Sequence, residues 1–559
     1  MLRKAAALVL FAVAAPAAPL RADPNQCDVA GEEPDVIVGR IEDMRRWGKV
    51  LDVTAFSFST TSCNIGTCWL DWFDHPNNLH PVIGQNLFRL RNGRFEQIGQ
   101  SWLKHGFFAT SGTLNEGLCE PGCVPVPNGE HLGVNCADTY SSFLNGNQPE
   151  LGPKFEVNAT TGSHPHPVTG WNQVGNDVYK RLQVHDADIN PSLNSGASYF
   201  VEAQYVTEDD AEAGNDDNNA SYRPVAVSSL GGGFYDIDVT GTTVQALPAI
   251  WAWKAADPVV SVINADVPGD GRYLVGSRVT ALGGGQWSYE YAVHNLNSHR
   301  SAGSFAVPIP TRSTLSDIGF HDVDYHSGEP FQGKPDWTPT VGSGTMSWAT
   351  TPYAVDPDAN ALRWGTLYNF RFTVDAPPIW GLVTVGLFRP GLPPDVKIPA
   401  VTPAICTADS ICDLNEECVC PAECPGNGSD FDGDQVGQCV DCVEGDGSVW
   451  ATPGEVVDVV VAKGPGNVAN LGWSPPLAPG GTALTYDVLR STNPANFVAT
   501  GAICLADGNP ADTAASDPQL PLGGKLLAYL VRARNGCPQG VGGLGAGSDS
   551  IPRAGRSCP

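Results

Sequence analysis

Residues 84–102 read GQNLFRLRNGRFEQIGQSW. Apolar and polar residues alternate on both sides of Asn92-Gly93, and Asn and Gly tolerate the positive φ that a type I′ turn demands. The stretch therefore predicts two antiparallel strands joined by a two-residue turn. The same period of two recurs downstream. In QWSYEYAVHN, residues 286–295, it sets Trp287, Tyr289, Tyr291 and Val293 on one face, the pattern of a strand with one side in a core. YLVGSRVTAL, SFAVPIP, YNFRFTVDA and LVTVGLF are similar short runs rich in β-branched and aromatic residues. With 63 Gly and 46 Pro among 559 residues, the chain is cut into segments too short for long helices. The fold class read from this pattern is all-β and multidomain, built of β-sandwich domains.

Cysteine spacing divides the chain. Six cysteines lie between Cys27 and Cys136, none between 137 and 405, seven between Cys406 and Cys442, and then come Cys504, Cys537 and Cys558. Four regions follow: a His-rich, disulfide-containing β domain at 23–255, a β-sandwich at 256–400, a Cys- and Asp-rich linker module at 401–451, and an end domain at 452–559. The first six cysteines allow fifteen pairings, among which the sequence does not choose. Within the first region, KRLQVHDADI and SYFVEAQYV, separated by NPSLNSGA, read as a second strand pair. The proline cluster RPGLPPDVKIPAVTPA, residues 389–404, reads as a stiff linker closing the second region.

Residues 1–22 carry Arg3 and Lys4, a short Ala-rich apolar run and small residues ending at Ala22, the form of a bacterial secretory signal peptide. The expected location is secreted, at the cell surface or periplasmic, where disulfides persist. No later run reaches the roughly 18 apolar residues of a membrane span. A formal charge of -28 argues against nucleic acid as a partner.

Two stretches resemble known families. DFDGDQVGQCVDC, residues 430–442, resembles a single thrombospondin type 3 repeat, whose alternate aspartates wrap calcium. The resemblance implies Asp430, Asp432 and Asp434 as calcium ligands and Gly437 as the turn glycine, although the usual aspartate near Gln438 is missing. Residues 452–559 resemble a fibronectin type III domain through Trp473 in NLGWSPP, the strand YDVLRS from Tyr486, and Tyr529 in LLAYLVRARN. That resemblance implies a β-sandwich serving as a spacer or binding surface, with Cys504 paired to Cys537 across the sandwich or its edge. The odd seventh cysteine of the linker module would then meet Cys558.

Seven of the eleven histidines fall in the first region: His75, His80, His105, His131, His164, His166 and His185. Imidazole suits copper and zinc, so three of these rings drawn from separate strands would make a metal site; ordinary surface histidines are the alternative. His164 and His166 form a His-x-His pair within HPHP, a loop compatible with either reading. His105 lies near Trp102, Phe107 and Phe108, where burial would suit a general base or a core histidine. His80, His105 and His185 are the candidates for a catalytic role. The acidic stretch TEDDAEAGNDDNNASYR offers Asp209, Asp210, Asp216 and Asp217 as calcium ligands, or else a solvated loop.

No Gly-x-Ser-x-Gly elbow, P-loop or His-Glu-x-x-His motif is present. Two functions fit these observations. One is a secreted modular binding or adhesion protein with structural calcium, its partner an extracellular polymer or cell-surface ligand. The other is an extracellular metal-dependent oxidoreductase or carbohydrate-active hydrolase using copper or zinc, with its site in the first region.

Overall fold

The structure, a computed structural model, describes residues 27, 32–404 apart from 312 and 343, 442, 446 and most of 448–558. Asp430, Asp432 and Asp434 lie outside the described residues. The hairpin at 82–100 forms as its sequence dictates: strands Val82–Arg91 and Arg94–Gln100 meet at Asn92 and Gly93, whose φ values are +52° and +77°. These two strands stand at the centre of an 11-stranded antiparallel sheet. Its path runs from Val36–Val50 through Val53–Asn64, Leu182–His185, the hairpin and Ser198–Val206 to Ala220–Gly231 and Phe234–Val239.

Period-two alternation gives this sheet two buried faces. Along Ser198–Val206, Tyr199, Val201, Ala203 and Tyr205 enter a core with Phe56, Phe58 and Leu87. Phe200 points the other way, into a second core with Phe88, Phe95 and Tyr222. That second core is shared. Ile250 and Trp253 from the helix Ile250–Ala256 join it, as do Leu274, Ala292 and Leu367 from the following region. Trp253 lies so close to Gly276 that a Cβ there would sit 2.9 Å from the indole, which leaves glycine as the residue that fits.

The region after this helix is a β-sandwich of two five-stranded sheets. One runs Ser261–Asp266, Arg272–Gly283, Gln286–Asn295, Thr366–Val374, Leu315–His321. The other runs Thr338–Gly342, Thr345–Ala349, Ala302–Pro308, Pro378–Leu387, Asp395–Pro403. Tyr289, Tyr291 and Val293 fill the space between them with Phe305, Trp348 and Phe370, and Trp287 packs at the margin, on the face its spacing predicts. Beyond residue 448, two three-stranded sheets, Val457–Lys463/Ala469–Ser474/Ala514–Asp517 and Ala502–Cys504/Thr485–Ser491/Ala528–Arg534, enclose Trp473, Tyr486, Val488 and Val531. None of the helices among the described residues is long and apolar enough to cross a membrane.

Four expectations need correction. First, Leu182–His185 does not pair with Ser198–Val206. It is wedged between Val53–Asn64 and Arg94–Gln100, because the chain turns at once into the short helix Asp186–Ile189 and leaves the sheet. Second, the proline cluster is not a linker throughout: Asp395–Pro403 is an edge strand paired only to Pro378–Leu387, a position where proline costs no ladder bond on its solvent side. Third, the acidic stretch is helical at Glu208–Ala213 and ends at Gly214 in the left-handed region. Fourth, Cys504 joins Cys558 and Cys537 joins Cys442, so the linker module is tied to the end domain through Cys537 and not Cys558. In the first region the pairs are Cys27–Cys68, Cys63–Cys119 and Cys123–Cys136.

Candidate metal centre

His105 ends the short strand Leu103–His105, directly opposite Val82 at the start of the hairpin's first strand. His80 stands two residues before Val82, in a loop closed by the Phe73 N–H donating to the Leu79 carbonyl (2.8 Å). Adjacent strand ends thus bring the two rings together, and His80 Nε2 lies 2.9 Å from His105 Nδ1. The third ring comes from the loop after residue 156. Asn158 N–H donates to Ser163 O (2.9 Å) and Asn78 Nδ2 to His164 O (2.9 Å), which turns His164 inward against the other two.

The three rings form a nearly equilateral triangle, with centroids 5.1–5.2 Å apart and planes inclined by 63–70°. One nitrogen from each falls within 4.8 Å of the others. Zinc with ligand nitrogens at about 2.0–2.1 Å in tetrahedral geometry sets those nitrogens about 3.3 Å apart, inside the 4.8 Å span over which the three rings gather. All three residues are buried, at 2, 2 and 4 % exposure. His105 Nε2 and His164 Nε2 have no hydrogen-bond partner. Gly152 backs the site: a Cβ there would come within 2.5 Å of His105 Nε2.

Two further histidines continue the cluster outward. The half-buried His166 ring is 5.5 Å from His80 and 5.8 Å from His105, and the exposed His75 is 4.5 Å from His166. Trp171 packs against His105, His166 and His75 at 5.1–5.8 Å. Burial, then the neighbouring His164, His166 and Lys104, pushes His80 down to about 3, a backbone hydrogen bond to Phe73 offsetting only part of this. His105 is held well below its ordinary value first by burial and then by His80 and His164; burial also lowers His164 and His166. Neutral imidazoles, the form that binds metal, are thereby favoured.

Of the sequence candidates, His80 and His105 meet and His185 does not join them. His185 ends its strand between two carboxylates, Nε2 2.7 Å from Asp324 and Nδ1 3.3 Å from Asp52. Partial burial opposes its charge, but the two aspartates outweigh that and raise its pKa. His164, which completes the trio, and His166 beside it are the pair that the HPHP motif marks as a metal loop or a surface turn.

The four aspartates of the acidic stretch are not gathered at one point. Asp209 accepts from Asp71 N–H (2.7 Å) and Asp210 from Val36 N–H (2.9 Å) and Asn219 (2.7 Å), so both fasten the helix Glu208–Ala213 to neighbouring chain. Asp216 accepts from Asn297 (2.7 Å) and Asp217 pairs with Arg272 (2.8 Å), both in the following region. Asp210 shares its buried setting with Asp35, which burial, followed by the charge of Glu33, raises to about 7 despite a hydrogen bond from Asn218. A carboxyl whose folded value exceeds its unfolded value near 3.9 stabilises most below that pH, and the contribution is lost as pH rises to 7. Relative to the parent, Asp35→Asn is therefore expected to be more stabilising at pH 8 than at pH 5, by on the order of 3 kcal/mol. Urea midpoints at the two pH values measure this, and equal differences would contradict it.

No family model and no curated protein matches the sequence. Three solved structures show loose similarity. Titin domains A168–A170 are 12% identical, covering 60% of this chain and 81% of that one at a TM-score of 0.14. The serine-rich repeat adhesion glycoprotein Srr1 of Streptococcus agalactiae is 8% identical, covering 67% and 99% at 0.17. The N-terminal domain of the Streptococcus gordonii adhesin Sgo0707 is 9% identical, covering 68% and 98% at 0.15. At these TM-scores they assign neither family nor activity, and the chain stands as an all-β protein with a buried tris-histidine cluster.

Proposed function

We propose that the protein is an exported β-sandwich protein of the binding type whose first region is organised around a transition-metal ion, zinc or copper, held by His80, His105 and His164. The single observation that carries this reading is the convergence of three buried, neutral imidazoles, two of them with a nitrogen that has no partner. Burying such groups without a partner costs folding free energy, and a bound cation removes that cost. His166, half-buried with its ring 5.5 Å from His80, is the nearest side chain to serve as a fourth ligand. A filled coordination shell is the mark of a structural ion, whereas a catalytic ion keeps one position open for water or substrate. With His166 as the fourth ligand the ion is structural, and on that footing binding stands ahead of the oxidoreductase and hydrolase readings. Export is supported by the disulfides in the first and last regions, which persist only in oxidising surroundings. The partner class, an extracellular polymer or cell-surface ligand, and calcium at Asp430, Asp432 and Asp434 belong to the same proposal.

The test is metal analysis of the purified full-length protein after exposure to zinc or copper and gel filtration. One equivalent that disappears in His80→Ala, His105→Ala and His164→Ala but persists in His185→Ala supports the centre. Substoichiometric metal, or retention in all four variants, overturns it.

A further inference from the structure

A second cluster of charge lies where the first region meets the β-sandwich. A cavity there is lined by Lys154 from the first region and by His299, Arg363 and Arg389 from the second, with Glu329 the one acid on its wall. It offers about 20 Å³ to the centre of a water-sized sphere, against the roughly 10–15 Å³ that one water requires. The occupant is therefore the size of a water or a small ion.

The cations are held there by the fold. Arg363 is 7 % exposed, and its guanidinium lies 4.1 Å from the Phe331 ring and 4.9 Å from that of Phe388. Aromatic contact fixes the plane of the group while leaving its edge free to donate. Nη2 donates to the Pro357 and Ala359 carbonyls (both 3.1 Å), while Nε is buried with no partner. Arg389 Nε is also buried without one. Lys154 Nζ spends its hydrogen bonds on neutral acceptors, Gly365 O at 3.0 Å and Gln100 Oε1 at 3.3 Å. Glu329 accepts from His326 N–H (2.6 Å) and faces Lys154, so it does not serve the two arginines. In a chain with 60 acidic and 32 basic residues, three cations, Lys154 and Arg363 buried and Arg389 half-buried, facing one acid on the cavity wall are an inversion of the overall charge. Asp356 and Asp358 act on Arg363 through space, but its hydrogen bonds go to neutral carbonyls; a buried charge so incompletely offset is costly, and a ligand of opposite sign in the cavity relieves it.

We propose that this cavity is a binding site for a small inorganic anion of chloride size, clamped by Arg363 and Arg389 and pinning the first region to the β-sandwich. Because its residues come from both sides of the junction, bound anion stabilises their union. The test compares thermal melting of the full chain in sodium bromide and in sodium gluconate at equal ionic strength, since gluconate is too large to enter. Bromide is expected to raise the melting temperature by roughly 3–8 °C, the shift expected at concentrations about a hundredfold above the dissociation constant. Arg363→Gln should abolish the difference; if that variant does not fold, Arg389→Gln is the substitute. Crystals grown in bromide should show an anomalous peak between the two guanidinium groups. Equal melting in the two salts, a shift that persists in the variant, or an empty cavity in the bromide crystal would overturn the proposal.

Discussion

Replacing His105 with Ala will weaken zinc binding by on the order of a hundredfold. Structural zinc sites with four ligands carry about 10–16 kcal/mol in all, so each ligand is worth roughly 3 kcal/mol, or a little over a factor of one hundred. His105 is the most informative of the three. It lies 2.9 Å from His80, shares the triangle with His164 and packs against Trp171. His166→Ala should lose less, about tenfold, because its half-buried position lets water take its place. Competition against a chromophoric chelator measures both constants. Equal losses at positions 105 and 166 would mean that the buried trio is not the core of the site, and no loss at 105 would remove the centre altogether.

The second large effect is expected far from the metal, at Trp253. Its side chain is fully buried in the core shared by the first region and the sandwich, against Gly276. Truncation to Ala deletes the largest group in that core and leaves a cavity, and substitutions of this kind cost about 3–5 kcal/mol. Because the lost contacts join the two regions, the expected calorimetric result is a split. The parent should show one transition for residues 32–404, and Trp253→Ala two, the earlier one well below the parent. A single transition shifted by less than about 2 °C would show that the two regions do not depend on this contact.

The sequence was most legible where structure is set by neighbours. Asn92-Gly93 fixed its hairpin because positive φ at two adjacent residues has few solutions, and Tyr289, Tyr291 and Val293 declared their face by alternation. What alternation concealed was the opposite face: Glu290, Ala292 and His294 are also buried, because a second region covers that side of the strand. The proline-rich segment 395–403 misled because proline marks edge strands as well as linkers, and the edge is a property of the whole sheet. The members of the metal cluster were among the seven histidines of the first region, but which three converge was not legible. His105 stood out for its aromatic neighbours and the HPHP motif marked His164 and His166 as metal loop or surface turn, but bringing His164 against His80 and His105 needed knowledge that the loop at 158–163 folds back beneath them. His185 looked equivalent until Asp52 and Asp324, 133 and 139 residues away in sequence, were seen to hold it elsewhere.

The order of exposure among the five clustered histidines, from His75 at the surface through His166 to His80, His105 and His164 inside, bears on rates as well as on equilibria. An ion leaving the buried trio would pass His166 and then His75, staying coordinated at each stage, so its departure would be limited by movement of the loop that carries His164 and His166. The half-life for metal loss to excess EDTA should then reach a plateau as EDTA is increased, with His75→Ala and His166→Ala changing the height of that plateau. Metal held at an open surface would show a rate that rises with every increment of chelator. A protein built in this way would keep its ion in surroundings that scavenge metals, through slowness of exchange more than through tightness of binding.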